Sequence, residues 1–417
     1  MRFISLLLIP FLLMSLSPAA TPPAPTRTLD RELDPLVVSG ARMPDFAGVN
    51  LARLFVYVYR NSDWSQIPWQ FDEVSNGKIV ANEDGLLDGD DELVFMAADT
   101  GDRAPAGSWI NNVNSQQYPR YEITVTDPLD RTKKGWAYVY RSATLHDTVT
   151  DDYVNFDAAQ LVIAGERYRL GLVRNRMIAD RLEMNNSGVD VLDRTKIRVQ
   201  VPMVGLITED RLEIPLPTLR RDGRIRAVVV IADDQVEILS FVGYRSLFRY
   251  AIDIDLSEIP LPLSLVRLSA DLNEAAVGSI YYGANTSAGV TIDGVPDNVP
   301  TTPVSDWVQA SGSSGTFIQV ADWTGTGGTA STYYKDDATI DPADTGDKKS
   351  YGDAGIRLDN PSKHLQVAIS TYVLPSNQPN VGARYCSYIK QPLETRATAQ
   401  HYTPPRFVYL PAALKNH

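Results

Sequence analysis

The sequence predicts an all-β protein, a large antiparallel β-sandwich with long loops and few short helices. Two observations support this fold class. Short runs rich in Val, Ile, Thr and Tyr recur along the whole chain, often alternating with polar residues. The chain also contains 27 glycines and 27 prolines, which is typical of many short strands separated by turns.

Three segments show how the pattern assigns strands. Tyr121–Thr126 and Lys196–Val204 alternate between apolar and polar residues, so each is expected to be a strand with one buried face. Val228–Ile231 is continuously apolar, which favours a strand covered on both faces. Helical patterns are scarce, and we expect at most short helical turns at Asp157–Gly165 and Leu256–Ile259.

The first twenty residues resemble a secretory signal peptide. Met1 and Arg2 precede an apolar run from Phe3 to Leu16, and small residues follow at Ala19 and Ala20. The run is shorter than the roughly 20 residues that a membrane-spanning helix needs, and no later stretch is longer. We therefore predict a protein that is exported to the cell surface or medium, with no transmembrane segment.

Composition changes divide the rest of the chain. The predicted organisation is a signal peptide at 1–20, a Pro-rich leader at 21–30, an N-terminal β region at 31–145, a large β-sandwich region at 146–400 and a tail at 401–417. The tail contains Tyr409-Leu410-Pro411, which is similar to short tails that end some secreted bacterial surface proteins. A last edge strand is the alternative interpretation.

The charge of the chain excludes one class of partner. It has 39 Lys and Arg against 51 Asp and Glu, a net charge of −12. Phosphate contacts need a basic face, so we predict no nucleic-acid partner. Cys386 is the only cysteine, so no internal disulfide can form, and the core, loops or bound ions must supply the stability.

An acidic loop is the strongest chemical signal in the sequence. Glu83 to Asp102 contains eight acidic residues and no basic one. Calcium takes six to eight oxygen ligands, often from one tightly turning loop. With Gly85 at the turn, the predicted calcium ligands are Asn82, Asp84, Leu86 through its carbonyl, Asp88, Asp91 and Glu92.

Residues 80–92 resemble the calcium loops of EF-hands and thrombospondin type 3 repeats. Val80 departs from that pattern, because it stands where an aspartate is expected, and Asp72 or Glu73 could supply the missing carboxylate. No helix pattern precedes the loop. A solvated acidic turn is the alternative, although crowding carboxylates without a cation costs stability.

A second acidic stretch follows near the end of the chain. Asp344, Asp347 and Asp353 lie near glycines, and three lysines partly neutralise them. This stretch is either a second calcium site or an exposed loop with local ion pairs. A net-basic region at 166–226, with thirteen Lys and Arg against nine acids, could bind an acidic glycan or pair internally.

Residues 195–375 resemble the supersandwich domains of galactose-mutarotase-like proteins and polysaccharide lyases. The resemblance rests on the strand-and-turn rhythm of Tyr281-Tyr282-Gly283, Asp293-Gly294, Trp307 and Gly312–Gly315. The resemblance implies that the chain could be a lyase. A lyase that acts on a uronic polysaccharide needs a base and a group that neutralises the uronate carboxylate. The candidates for these roles are His364, Arg198, Tyr281 and Tyr282, each of which could instead be structural.

Flat aromatic side chains that could stack on sugars complete the candidate sites. Trp64 and Trp69 flank Ile67-Pro68 near the acidic loop, and Trp307 and Trp323 frame a Gly- and Ser-rich loop. Core packing is the alternative for each of them. No paired metal-binding histidines, Gly-x-Ser-x-Gly elbow or phosphate-binding loop occurs, so the catalytic residues are left open.

These features lead to one function hypothesis and two alternatives. The leading hypothesis is a secreted, calcium-stabilised β-sandwich protein that binds an extracellular ligand, namely a glycan. One alternative is a polysaccharide-active enzyme, either a lyase or a glycoside hydrolase. The other is a structural surface or matrix protein.

Overall fold

A computed structural model describes residues 24–404, apart from 82–83, 234–235 and 258–260. The predicted signal peptide, the first three residues of the leader and the residues of the tail from 405 onward lie outside the described residues, as does the predicted ligand Asn82. Within the described residues, no helix is long and apolar enough to cross a membrane.

The described chain is built almost entirely from short strands. The first group comprises β1 (Pro35–Ser39), β2 (Leu54–Arg60), β3 (Asp63–Gln66), β4 (Gln70–Asp72), β5 (Val74–Ser75), β6 (Lys78–Ile79), β7 (Glu92–Met96), β8 (Arg120–Thr126) and β9 (Lys134–Arg141). The second comprises β10 (Val154–Asp157), β11 (Val162–Gly165), β12 (Tyr168–Leu172), β13 (Ala179–Met184), β14 (Leu192–Val201), β15 (Gly205–Thr208), β16 (Thr218–Asp222), β17 (Ala227–Asp233) and β18 (Val236–Gly243).

The remaining elements complete the second half of the chain. They are β19 (Leu247–Asp255), β20 (Leu265–Leu272), β21 (Ile280–Gly283), β22 (Thr286–Thr291), β23 (Trp307–Gly312), β24 (Gly315–Asp322), β25 (Thr329–Asp337), β26 (Ser350–Asp359), β27 (His364–Leu374), α1 (Gly382–Lys390) and β28 (Glu394–Gln400). Single 3-10 turns lie at Gly40–Arg42, Pro44–Phe46, Leu51–Arg53, Ala97–Asp99, Ser115–Gln117, Glu209–Arg211 and Glu274–Ala276.

The N-terminal unit is a sandwich of two antiparallel sheets. One sheet has the order β1-β7-β4, the other β28-β8-β9-β2-β3, and a hydrophobic core lies between them. The alternation within β8 works as predicted, because Tyr121, Ile123 and Val125 are all buried in this core. The β5-β6 hairpin leads into the acidic loop.

The last strand returns to this first unit. β28 pairs antiparallel with β8, so that Glu394 lies opposite Thr126 and Gln400 opposite Arg120. The predicted boundary assigned residues up to 400 to the large C-terminal region, whereas the structure places Glu394–Gln400 in the N-terminal sandwich. The cause is edge pairing over long sequence separation, which no local pattern encodes.

The second unit is a larger antiparallel sandwich. A nine-stranded sheet, ordered β16-β17-β18-β19-β27-β24-β23-β21-β22, packs against a five-stranded sheet, ordered β15-β14-β20-β26-β25. A four-stranded meander, β10-β11-β12-β13, extends the same core. These sheets confirm the predicted all-β antiparallel sandwich class.

Short helical turns were expected at two places where the structure differs. Asp157–Gly165 contains the end of β10, a turn and β11, with Leu161 at a φ of 54°. The Asp157 carboxylate accepts from the amides of Ala159 and Gln160, which favours this turn over a helix. Leu256 and Ser257 are not helical, and the rest of Leu256–Ile259 lies outside the described residues.

The single α-helix of the described residues closes the outer face of the nine-stranded sheet. α1 packs on β23 and β24, and Trp307, Tyr385 and Cys386 are buried in the cluster it forms there. Gly382 lies directly against Trp307, since a Cβ at Gly382 would lie 2.0 Å from the indole. The Cys386 thiol is free and buried.

A network of arginines and carboxylates joins the two units beside the acidic loop. Arg226 of the second unit pairs with Asp72 and, at 2.5 Å, with Glu92 Oε2 of the first. Gln70 accepts from the amides of Ile225 and Arg226 at 3.0 Å each. These contacts connect β4 and β7 to the second unit.

Candidate functional site

The acidic loop brings together carboxylates from both ends of the 19-residue connection between β4 and β7. Glu73 follows β4, and Asp91 directly precedes β7. Gly85 turns the loop with a φ of 80°, a conformation that favours glycine. Leu86 N–H donates to Asp84 Oδ1 at 2.7 Å, and Asp88 N–H donates to Asp91 Oδ2 at 2.6 Å.

Two carboxylate oxygens in this loop are buried without a partner. Asp91 is only 1% exposed, and its Oδ1 makes no hydrogen bond. Glu73 Oε2 is also buried and unpaired. An unpaired buried carboxylate oxygen is costly, and a bound cation is one way to remove that cost.

The pKa values of both carboxyl groups respond to this crowding. Burial raises the pKa of Asp91, the charges of Asp88 and Asp90 add to the rise, and the Asp88 and Val74 amides oppose it. Burial also raises the pKa of Glu73, and the charge of Asp91 adds to the rise. The carboxylates therefore repel one another. Among the described residues, no basic side chain is one of the main groups that shift these two pKa values.

The structure separates the predicted ligands into two sets. Glu92 lies next to Asp91 in the chain but points to the opposite side, where it pairs with Arg226. Asp72 is likewise occupied by Arg226 and Arg221. Of the two upstream carboxylates that could complete the loop, Glu73 is therefore the one beside Asp91.

The remaining predicted ligands lie at the surface of the loop. Asp84 and Asp88 are exposed, and Leu86 is exposed and forms a β-bridge with Asn50. Among the residues that the structure describes, no three acidic, imidazole or thiol side chains already stand in a metal-binding arrangement. An ion would thus need the surface carboxylates to turn toward Asp91.

The four predicted tryptophans lie in four separate environments. Trp307 is 6% exposed in the core under α1, and Trp323 packs at the edge of the large core. Trp69 packs against the N-terminal core, with its ring centroid 6.0 Å from that of Phe55. Trp64 belongs to an aromatic cluster on the outer face of β2 and β9. The structure therefore does not bring the four together as one platform.

A cavity of about 600 Å³ opens next to the cluster that contains Trp64. It lies on the N-terminal sandwich, between the 101–117 loop and the end of β28. Its lining includes six polar or aromatic side chains that could contact a ligand: Arg103, Trp109, Arg120, Glu122, Gln400 and His401. None of them was among the residues predicted from the sequence.

A continuous chain of hydrogen bonds forms the polar side of this cavity. Arg120 Nε donates to Gln400 Oε1 at 2.9 Å, and Gln400 Nε2 donates to Glu122 Oε2 at 3.1 Å. Glu122 in turn pairs with Arg103, whose Nη2 lies 3.1 Å from Oε1. Glu122 is 4% exposed, so this series of hydrogen bonds includes a buried carboxylate.

Trp109 forms the aromatic side of the cavity. Its ring centroid lies 5.7 Å from that of Tyr402, and the Arg120 guanidinium carbon lies 4.5 Å from the indole centroid. Trp109 Nε1 donates to Ser115 Oγ at 3.1 Å, which fixes the ring. An aromatic side chain beside a few fixed polar groups is typical of small-molecule binding sites.

The residues suggested by the lyase resemblance do not converge. Tyr281 is buried between the large sheets, and Tyr282 is buried on the α1 side of its sheet. His364 is at the surface, where its Nε2 lies 2.6 Å from Asp253 Oδ1. Arg198 is buried on the outer face of the five-stranded sheet.

Arg198 belongs to a buried charge network that the sequence did not predict. Lys196 is fully buried, with Nζ 2.5 Å from Asp271 Oδ2 and 2.9 Å from Asp344 Oδ2. Arg198 pairs with Glu209 and lies 2.7 Å from Asp344 Oδ1. The predicted second acidic loop thus contributes Asp344, which covers this network and pairs with both Lys196 and Arg198.

One carboxylate in the network lacks such partners. Asp353 is fully buried, neither of its oxygens makes a hydrogen bond, and its nearest ion-pair partner is Arg267 at 3.8 Å. Burial, followed by the charge of Asp353, raises the pKa of Asp271 to about 8. Although burial disfavours the ammonium, the charges of Asp353 and Asp271 raise the pKa of Lys196.

The basic stretch at 166–226 is largely used for internal pairing. Arg167 pairs with Glu166 at 3.2 Å, and Arg181 with Glu183 at 3.2 Å. Arg176 lies 3.6 Å from Glu213. These contacts favour the internal-pairing interpretation of the basic region over a site for an acidic glycan.

Comparisons with known proteins identify no family. No family model matches the chain, and no curated protein matches it. Among solved structures, the chain is similar to an alpha-mannosidase from Enterococcus faecalis V583, with 10% identity and a TM-score of 0.41 over 91% of this chain and 46% of that one. The chain therefore spans about half the length of that structure.

Proposed function

We propose that this protein is an exported β-sandwich protein that binds a glycan in the cavity of its N-terminal unit. The observation that carries the proposal is the cavity itself, which combines the fixed indole of Trp109 with the Arg120–Gln400–Glu122–Arg103 chain of hydrogen-bonding groups. Its volume of about 600 Å³ is in the range of ordinary small-ligand sites.

The chemistry of the cavity suits a sugar better than an apolar ligand. A pyranose ring has an apolar face that can pack on an indole and equatorial hydroxyls that need planar donors and acceptors. Gln400 and Glu122 supply acceptors, while the two guanidinium groups supply donors. Because these side chains are already bonded to one another, little order has to be created on binding.

The test is retention of the full chain, without its first 20 residues, on immobilised polysaccharides. We expect retention on at least one polymer, and loss of retention in Trp109→Ala and His401→Ala. His401 is exposed, so its replacement should leave the melting temperature unchanged. Trp323→Ala is the matched control, because Trp323 lies in the second unit and should not affect binding.

Two results would contradict glycan binding at this cavity. One is an absence of retention on every polymer, and the other is full retention by the Trp109→Ala variant. Mass spectrometry of the supernatant tests the enzyme alternative in the same experiment. Released oligosaccharides would assign turnover, and unsaturated ends would specify a lyase.

A second proposed function, calcium binding by the acidic loop, is favoured by the unpaired oxygens of Asp91 and Glu73. A divalent cation between these oxygens would replace repulsion by coordination, and Asp84 and Asp88 would add ligands by turning toward it from the surface of the loop. Because Asp72 and Glu92 connect the same strands to Arg226, the ion would stabilise the junction between the two units.

Calcium binding is tested by melting temperature with and without a chelator. An ion at about 100 times its dissociation constant adds roughly 2.7 kcal/mol of stability, so chelation should lower the melting temperature by several degrees. Asp91→Asn should abolish this response while keeping the acceptor for the Asp88 amide. Asp90→Asn, a change of the exposed neighbour, should keep it, and an intact response in Asp91→Asn would place the ion elsewhere.

A further inference from the structure

We infer that the N-terminal cavity selects acidic sugars, with the anionic group of the sugar bound by Arg120 and Arg103. This inference rests on the proposed glycan-binding function and adds the charge class of the ligand. The two arginines are held in place by their neighbours, and positive charge exceeds negative charge around them.

Arg120 is a buried cation whose hydrogen-bond partners are neutral. It is 3% exposed, and it donates through Nε to Gln400 Oε1 and through Nη1 to Ser108 O at 2.7 Å and Tyr140 Oη at 2.6 Å. Within the described residues, no carboxylate lies within ion-pair distance of this guanidinium. These bonds leave Nη2 as the nitrogen for a ligand.

Aromatic rings hold the Arg120 side chain in place. Its guanidinium carbon lies 4.5 Å from the Trp109 ring centroid and 4.7 Å from that of Tyr138, and the rings of Trp64 and Tyr140 also face it. Cation–π contacts offset part of the cost of burying the charge, but they do not neutralise it. An anion is the ligand that would complete the site.

Arg103 provides a second, more accessible cation at the same cavity. Its side chain is 49% exposed, and it pairs with Glu122, whose hydrogen bond raises the pKa of Arg103. Glu122 is the one acidic side chain that lines the cavity among the described residues, against two arginines and His401. The cavity is thus positive in a chain with a net charge of −12.

Carboxylate and sulfate groups on sugars share the chemistry that these arginines recognise. Either anion can accept hydrogen bonds from Nη2 of Arg120 and from the exposed Arg103, and the indole of Trp109 would pack on the ring that carries it. A neutral sugar would leave the Arg120 charge without a counter-charge. The expected ligand is therefore a hexuronate or a sulfated hexose within a longer glycan.

The test compares ligands that differ only in charge. Calorimetric titration would use tri-galacturonate, its methyl ester and a sulfated galactose trisaccharide, without added calcium. We expect at least one acidic trisaccharide to bind at least about tenfold more tightly than the ester, with affinity that falls as salt rises. Arg103→Gln should reduce this preference several-fold, whereas Arg131→Gln, which removes an exposed arginine outside the cavity, should keep it.

The possible failures are distinguishable. Equal binding of the ester and the acidic sugars would overturn the charge selection while leaving glycan binding intact. An unchanged preference in Arg103→Gln with normal folding would also overturn it, because the anion would then be bound elsewhere. Failure of every ligand, together with no retention on any polysaccharide, would overturn the proposed function as well.

Discussion

Replacing Lys196 by methionine should destabilise the second unit in a strongly pH-dependent way. Lys196 is fully buried, with Asp271 at 2.5 Å and Asp344 at 2.9 Å. Methionine preserves the volume of the side chain but removes the charge that compensates these carboxylates. Asp344 keeps its contact with Arg198, whereas Asp271 is left beside Asp353.

The magnitude follows from the burial of the pair. Removing one partner of a buried ion pair costs about 3–5 kcal/mol, because the other charge stays buried without compensation. We expect this full cost near pH 8, where neutralising the buried Asp271 carboxylate by protonation is most costly. Near pH 5 the cost should be smaller, because Asp271 can take up a proton and become neutral.

Urea unfolding followed by tryptophan fluorescence at pH 8 and pH 5 measures this difference. The matched control is Lys133→Met, which breaks an exposed pair with Asp30 at 3.0 Å and should have little effect. A Lys196→Met, Asp271→Leu double variant should recover part of the loss, since neither charge remains. The reasoning is refuted if Lys196→Met and Lys133→Met are equally stable at pH 8.

Two further predictions test the buried carboxylates and the packing of the helix. A carboxyl group with a raised pKa binds a proton on folding, so Asp271, at about 8 instead of 3.8, should lower stability as pH rises from about 4 to about 8. Asp353→Asn removes the neighbouring charge, so the free energy of unfolding of this variant should fall less over this range, by roughly 1 kcal/mol, and an equal pH dependence of stability in the variant and the parent would contradict the assignment. Gly382→Ala places a methyl group 2.0 Å from the Trp307 ring and should destabilise the protein by about 1–3 kcal/mol. Thermal melts check this against Gly89→Ala, whose new Cβ would have 3.9 Å to its nearest neighbour; equal melting temperatures would show that the helix moves aside freely.

The fold class was predictable because it depends on local patterns. Alternation in Tyr121–Thr126 correctly assigned the buried face of β8, and the same pattern correctly placed Ile197 and Val201 in the large core. What alternation did not reveal is the environment of the other face. Lys196 and Arg198 occupy polar positions of β14, yet the loop that carries Asp344 covers them.

The candidate sites, too, were predictable only where their residues are neighbours in the sequence. The acidic loop is continuous in sequence, so its carboxylates could be recognised together, although the opposite directions of Asp91 and Glu92 depend on the strand that follows. The cavity could not be recognised, because Arg120 and Gln400 are 280 residues apart and meet only through the pairing of β28 with β8. Trp109 has no pattern that distinguishes it from the other tryptophans.

By itself, the sequence determined the all-β class and the acidic character of the loop before β7, because hydrophobic period and charge density are properties of neighbouring residues. Only the tertiary structure decided that the last strand completes the first sandwich, that Asp72 and Glu92 join the two units while one oxygen each of Glu73 and Asp91 lacks a hydrogen bond, and that a buried arginine faces an open cavity. These features arise from strand pairing and burial over long separations, where a residue's chemistry is set by neighbours that the chain brings from elsewhere.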